Sequence, residues 1–522
     1  MAASPLSRRV LIAALALPLA LSAQPNLDQV AQNTLKTFEV PGVAVMVIKD
    51  GQIVVSKGCG VRKLGQPDPV TPKTLFGIAS NSKAFTSAAL AMLVEEGKLK
   101  WDDPVINHLP DFQMADPYVT REMTIRDLLV HRSGLGLGAG DLMYFPTTDL
   151  SRDEIVRRLR YVKLASSFRS RYAYDNILYI VAGQVIARVS GLSWDQFLQT
   201  RIFQPLGMVS TNTSVKKFRP TDEVAYPHAK SDGKLVPLEP EDSDNWGAAA
   251  GINSNLEDLS KWVLLQLGRG ESNGVKLFSP AQSREMWNPV TILGTGRAPA
   301  GPLADVAPNF ATYALGWNVS DYRGRKVVHH TGGLAGMVTR ITLIPSMNLA
   351  VVVLTNQETG SAFNAITYTV LDHYMGAAGT DWVQVLADAQ KKRETEATAA
   401  VAKAASTRNA ESKPSLPLAS YAGRYRDAWY GDIFIEQQNG KLRIRFSHSA
   451  ELTGTLEHFQ YDTFVTRWDK RSLLADAYVT FALQPDGSIG EVKMKAVSAL
   501  TDFSFDFHDL LLKPVAKDAK PY

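Results

Sequence analysis

Apolar residues recur at helical spacing through Ala84-Phe85-Thr86-Ser87-Ala88-Ala89-Leu90-Ala91-Met92-Leu93, where Phe85, Ala88, Ala89, Met92 and Leu93 share one face. The pattern predicts a buried helix ending near Gly97. Leu27, Val30, Leu35 and Phe38 predict a second helix over 26–38. Residues 43–48 are continuously apolar and predict a strand, and Asp50-Gly51 followed by Ile53-Val54-Val55 turns it into a hairpin. Further helices are predicted over 177–182 and Leu256–Leu267, the latter capped by Ser254 or Asn255. An antiparallel meander is expected from strands at 314–319, 327–333, 337–343 and Leu349–Thr355, with Arg323-Gly324 and 345–348 as turns.

The pattern changes over 381–412, where the charged run 390–396 passes into an Ala-rich stretch followed by Pro414 and Pro417. This reads as a solvated helix and linker. Beyond it, short strands are predicted at 431–437, 442–446, Thr463–Trp468, Ala477–Leu483 and Ile489–Ala496, with turns at Asn439-Gly440 and Pro485-Asp486-Gly487. Residues 441–446 alternate strictly, so one face is buried and one wet. Evenly spaced strands without a helix suggest a small barrel or sandwich, and no catalytic constellation is visible in it.

Composition narrows the class. With 522 residues, 45% hydrophobic and 21% charged, the chain suits a soluble globular protein of more than one domain. Its net charge of +4 includes Arg8 and Arg9 of an N-terminal leader, so neither nucleic acid nor an anionic membrane is expected as partner. Residues 1–23 have the form of a signal peptide: Arg8-Arg9, an apolar run over 10–21, and Leu21-Ser22-Ala23 before Gln24. Export to the periplasm or medium is expected, with no membrane span after its removal. The single cysteine, Cys59, excludes an intrachain disulfide and is expected to be a buried, inert thiol. No Cys/His cluster or H-E-x-x-H motif calls for a metal, and no cofactor is expected.

Candidate chemistry starts at Ser80 and Lys83, three apart in the first turn of the helix described first, so hydroxyl and amine can meet. A lysine beside a serine serves as its base when neutral. Tyr174 and Asn176, two apart in a loop, can point into one cleft, and His330-Thr331-Gly332-Gly333 falls at a strand end where glycine leaves room for substrate. Alone, each motif is weak. His131, in Leu-Leu-Val-His-Arg-Ser-Gly-Leu (128–135), reads as a hydrogen-bonded structural residue.

The order S-x-x-K, Y-x-N, H-T-G resembles the serine β-lactamase and penicillin-binding-protein superfamily, closest to its class C β-lactamase, D-alanyl-D-alanine carboxypeptidase and esterase branch. The likeness spans about residues 30–375, and the tail resembles a small β domain often fused to such hydrolases. It implies an α+β fold, with a three-layer α/β/α core on an antiparallel sheet plus a helical subdomain, followed by an all-β barrel-like domain. The divisions expected are 1–23 leader, 24–378 hydrolase domain, 379–417 helical linker and 418–515 β domain. By the same resemblance Ser80 is the acylated nucleophile, Lys83 its partner, Tyr174 a participant in proton transfer, and Asn176 a ligand of substrate or Lys83. The backbone N–H groups of Ser80 and Gly333 form the oxyanion hole, and His330, Thr331 and Gly332 line the substrate edge.

His330 stands where many β-lactamases carry Lys. Histidine near pH 7 is charged only in part, so a substrate carboxylate is held less firmly. This ranks a peptidase acting on D-amino-acid-containing peptides, peptidoglycan-derived ones among them, or an esterase, above a dedicated β-lactamase. A true β-lactamase and a penicillin-recognising sensor remain the alternatives. A G-x-S-x-G elbow is absent.

Overall fold

The computed structural model describes residues 26–296 and 299–516, so the expected leader over 1–23 lies outside the described residues. Helix α1 (Leu27–Thr37) is capped by the Asn26 side chain. It leads into the hairpin β1 (Gly42–Lys49) and β2 (Gln52–Gly60), whose turn residues Asp50 and Gly51 both have positive φ, as a two-residue hairpin loop requires. Helices α2 (Ser82–Glu95), α3 (Ile177–Ser190) and α4 (Leu256–Leu267) follow, the last capped by Asn255. Six strands come next: β3 (Thr291–Leu293), β4 (Ala311–Tyr313), β5 (Asn318–Tyr322), β6 (Arg325–Leu334), β7 (Met337–Ile344) and β8 (Leu349–Thr355). Helices α5 (Gly360–Tyr374) and α6 (Trp382–Ser406) complete this part.

The eight strands form one antiparallel sheet in the order β2-β1-β8-β7-β6-β5-β4-β3, so the N-terminal hairpin pairs with the last strand, Val43 opposite Thr355. Alternate residues of β1 face opposite layers. Val43, Val45 and Val47 pack with Phe363, Ile366 and Trp382 of α5 and α6, whereas Ala44, Met46 and Ile48 join the core around Phe85 and Leu259. Both faces are covered, which is why β1 is apolar throughout. The result is the expected α+β arrangement: helices on both faces of an antiparallel sheet, with α2 and α3 in the helical region beside it.

The C-terminal part is a second antiparallel sheet: β9 (Gly423–Asp427), β10 (Gly431–Gln438), β11 (Lys441–Phe446), β12 (Thr453–Gln460), β13 (Thr463–Trp468), β14 (Ala477–Leu483), β15 (Ile489–Ala496) and β16 (Lys513–Pro514). Its order is β15-β14-β13-β12-β11-β10-β9-β16, and paired backbone bonds between Val492 and Leu512 bring its two ends together as a nearly closed barrel.

Strands β9 and β12 are not among those predicted from sequence, and three further details depart from its reading. Residues 314–317 are a turn rather than strand, because Gly316 (φ +77) lies so close to α2 that a Cβ there would sit 2.8 Å from the Lys83 carbonyl. Helix α6 is not wholly solvated: Trp382, Val383, Leu386 and Ala397 are buried, and Trp382 Nε1 donates to Asp372 at 2.9 Å. Cys59 is half-buried near the sheet edge, not buried, since β2 has a strand on one side only.

Candidate active site

Ser80 lies in the tight turn that feeds α2. The preceding Ala79 has φ 50, an unusual conformation for a residue with a Cβ. Strand β6 makes room for it: a Cβ on Gly332 would meet the Ile78 carbonyl at 2.2 Å and the Ala79 Cβ at 2.9 Å. Thr339 on the neighbouring strand donates to the same carbonyl at 3.0 Å and accepts from Asn81 at 2.9 Å, fixing the turn against the sheet. At Gly333 an added Cβ would meet nothing, because that residue opens onto a cavity of about 630 Å³ shared with Ser80, Tyr174, Asn176, His330 and Thr331.

Lys83 is fully buried, and its Nζ lies 2.9 Å from Ser80 Oγ, 2.7 Å from Asn176 Oδ1 and 3.1 Å from the Ala249 carbonyl. Two of these partners are pure acceptors. A neutral amine has two N–H bonds, so satisfying both acceptors leaves its lone pair for the Ser80 hydroxyl proton. Burial pulls the Lys83 pKa down to about 7, against the opposing fields of Asp141 and Asp175. Asn176 in turn donates Nδ2 to Asp141 at 2.9 Å, which fixes its amide orientation. Burial pushes the Asp141 carboxyl well above the usual range, against hydrogen bonds donated by Ser504 and Asn176.

Burial among Tyr172, Tyr179 and His131 raises the Tyr174 pKa well above that of free tyrosine, against the opposing effect of the Ser80 hydroxyl. Holding even an ordinary phenolate at pH 7 needs about 4 kcal/mol, and here the demand is larger. The Tyr174 phenol is therefore neutral. Lys83 Nζ lies 4.8 Å from the centroid of its ring.

His330 is 2% exposed. Its Nδ1 faces the Thr331 carbonyl at 2.6 Å, so Nδ1 carries the proton, and Nε2 accepts from the Tyr313 hydroxyl at 2.8 Å. Burial and the nearby Lys83 pull its pKa down to about 3. The expectation of a partly charged imidazole is corrected: burial makes it neutral. His329 points away from the cavity, as strand alternation requires. Of the charged residues on the cavity wall, Glu358 and Asp502 are carboxyls raised by burial, and Lys470 is paired with Glu451 at 2.6 Å.

His131 is buried against Tyr174, with ring centroids 4.2 Å apart, and accepts the Asp175 N–H at 3.1 Å. The site thus brings together all eight residues singled out from sequence. It also contains residues that pattern reasoning did not reach. The Ala249 carbonyl comes from the short helix Gly247–Ala250. Tyr313 sits on a three-residue strand too short to announce itself. Asp141 and Ser504 are linked only by the fold, Ser504 Oγ donating to Asp141 at 2.8 Å from the segment between β15 and β16.

A helical region beside an antiparallel sheet, with a serine–lysine pair at their junction, defines a β-lactamase-type fold and site. The chain belongs to the Beta-lactamase family, whose model matches residues 27–374, and residues 407–514 match a domain of unknown function, DUF3471. It is 31% identical over 485 residues to the unguisins hydrolase ungD′ of Aspergillus campestris, covering 88% of this chain and 87% of that one. It is 24% identical over 336 residues to protein flp of Staphylococcus aureus, covering 64% and 63%. Among solved structures it resembles an octameric penicillin-binding protein homologue from Pyrococcus abyssi, with TM-score 0.60 and 23% identity over 90% of this chain and 97% of that one. A class C beta-lactamase gives TM-score 0.54 at 19% identity, covering 68% and 96%. These structural likenesses speak for the fold.

Proposed function

We propose that the protein is an exported serine hydrolase, periplasmic or secreted, that works through an acyl-enzyme on Ser80 and acts on D-amino-acid-containing peptides or small esters. The observation that carries this reading is the buried Lys83 amine, 2.9 Å from Ser80 Oγ with its pKa near 7. Lys83 takes the Ser80 proton as Oγ attacks the substrate carbonyl, and the oxyanion develops at the N–H groups of Ser80 and Gly333. Neutral Tyr174 relays the proton to the leaving group, while Asn176 holds Lys83. A relative named as a hydrolase agrees with this chemistry. The neutral His330 offers no cation to a carboxylate beside the scissile carbonyl, which ranks esters and internal peptide bonds above β-lactams.

A fluorophosphonate tests the nucleophile. Its adduct is expected by mass spectrometry on the peptide containing Ser80 and is expected to be lost in Ser80→Ala. Undiminished labelling of the alanine variant contradicts the assignment. Turnover of 4-nitrophenyl esters and D-amino-acid peptides above that of nitrocefin supports the ranking, and the reverse order selects the β-lactamase reading.

A further inference from the structure

Large apolar side chains on a protein surface are normally scattered singly. Here Leu137, Leu474, Leu500 and Phe503, between 38% and 56% exposed, all line the cavity that contains Ser80. They come from three separate segments: the loop after His131, the connection between β13 and β14, and the segment after β15. Three of the four belong to the barrel part of the chain, which thereby forms one wall of the candidate active site.

This wall is held firmly against the hydrolase part. Asp506 accepts the backbone N–H groups of Gly140 at 2.7 Å and Leu142 at 3.2 Å, and Ser504 donates to Asp141. Gly138 (φ +68) approaches so closely that a Cβ there would lie 2.6 Å from the Phe503 carbonyl. The Phe503 ring stands edge-on to Tyr174, with centroids 5.8 Å apart. Leu474 has φ 51, a conformation that opposes a leucine, so its side chain is presented to the cavity at a local cost in strain.

We propose that Leu137, Leu474, Leu500 and Phe503 form a preformed apolar subsite that receives a bulky aliphatic or aromatic group of the substrate, and that the C-terminal barrel thereby sets the specificity of the hydrolase. The subsite rests on the functional reading above. Because the wall is already docked, a substrate group that fills it gains burial without ordering a loop. One well-filled apolar pocket of this kind discriminates by about tenfold or more.

The test uses the full-length protein and two substrate ladders. In one, 4-nitrophenyl esters run from acetate to octanoate; in the other, amides of one acyl group carry leaving amines from methylamine to phenethylamine. The parent is expected to favour the bulky end of at least one ladder by about tenfold or more in kcat/KM. Leu474→Ser with Leu500→Ser, both at exposed positions, is expected to reduce that bulky-to-small ratio at least several-fold, and Phe503→Ser to reduce it further. A parent without preference in either ladder, or a ratio unchanged in the variants, overturns the subsite. Fluorophosphonate labelling of Ser80 in the same preparations separates the two claims. Normal labelling with a flat ratio sinks the subsite alone, whereas absent labelling of the parent sinks the hydrolase reading beneath it.

Discussion

At Lys83 the decisive quantity is the free energy of losing a proton. An ordinary lysine gives it up at pH 7 only at a cost of about 5 kcal/mol, whereas burial brings the Lys83 pKa to about 7. Spacing alone made the Ser80–Lys83 contact legible, since i and i+3 share a helix face. The protonation states were not legible, because they depend on burial by residues more than ninety positions away, such as Asn176 and Ala249. His330 is the clearest instance. Its position in the cavity is legible in the H-T-G-G pattern, whereas its neutral state depends on Tyr313 and on burial in the strand. With a pKa near 3 it stays neutral from pH 5.5 to 8, so His330 itself is expected to add no pH dependence to the preference between carboxylate-bearing and carboxylate-free substrates in that range. His330→Lys supplies a cation, and the kcat/KM ratio of a carboxylate-bearing β-lactam to a simple ester is expected to rise about tenfold, a charge-assisted hydrogen bond being worth roughly 1.5–3 kcal/mol. A ratio that does not rise removes His330 from substrate recognition.

Strand β6 shows what an element adds to its residues. Gly332 and Gly333 are neighbours with opposite reasons for being glycine: the first lies under the Ser80 turn, the second faces the cavity. Gly332→Ala is expected to destabilise by about 1–3 kcal/mol, as overpacking does. Gly333→Ala is expected to keep the parental melting temperature while lowering kcat/KM, because the new methyl group enters the substrate space. Equal melting temperatures for both variants contradict the packing described here. Long periodic elements such as Leu256–Leu267 were legible from sequence to the residue. Elements of two or three residues, β3, β4 and β16 among them, were not, since their pairing is set by neighbours in space rather than by a local pattern.

For the whole molecule, the two sheets cooperate through the segment that follows β15. A hydrogen-bonded chain runs from Lys83 through Asn176 and Asp141 to Ser504, so the barrel part lies three bonds from the amine. Sequence showed two blocks of different pattern and no chemistry in the second, because Ser504 has meaning only where it docks. Ser504→Ala removes a donor that favours ionised Asp141, and the Asp141 charge raises the Lys83 pKa. The variant is therefore expected to acylate with a lower apparent pKa and to do so more slowly, since Asn176 is less firmly held. An unchanged profile and rate show that the barrel does not reach the catalytic network.

The central claim is that Lys83 is the base for acylation of Ser80, and the pH dependence of the single-turnover acylation rate with a carboxylate-free 4-nitrophenyl ester tests it most directly. The rate should follow the fraction of neutral Lys83, rising as pH increases through about 7 and levelling above it. Lys83→Arg, which cannot deprotonate in this range, should lose on the order of a hundredfold or more, whereas Tyr174→Phe should lose less and keep the midpoint. A profile without a step near 7, or a larger loss at Tyr174 than at Lys83, contradicts the account and transfers the base to the tyrosine.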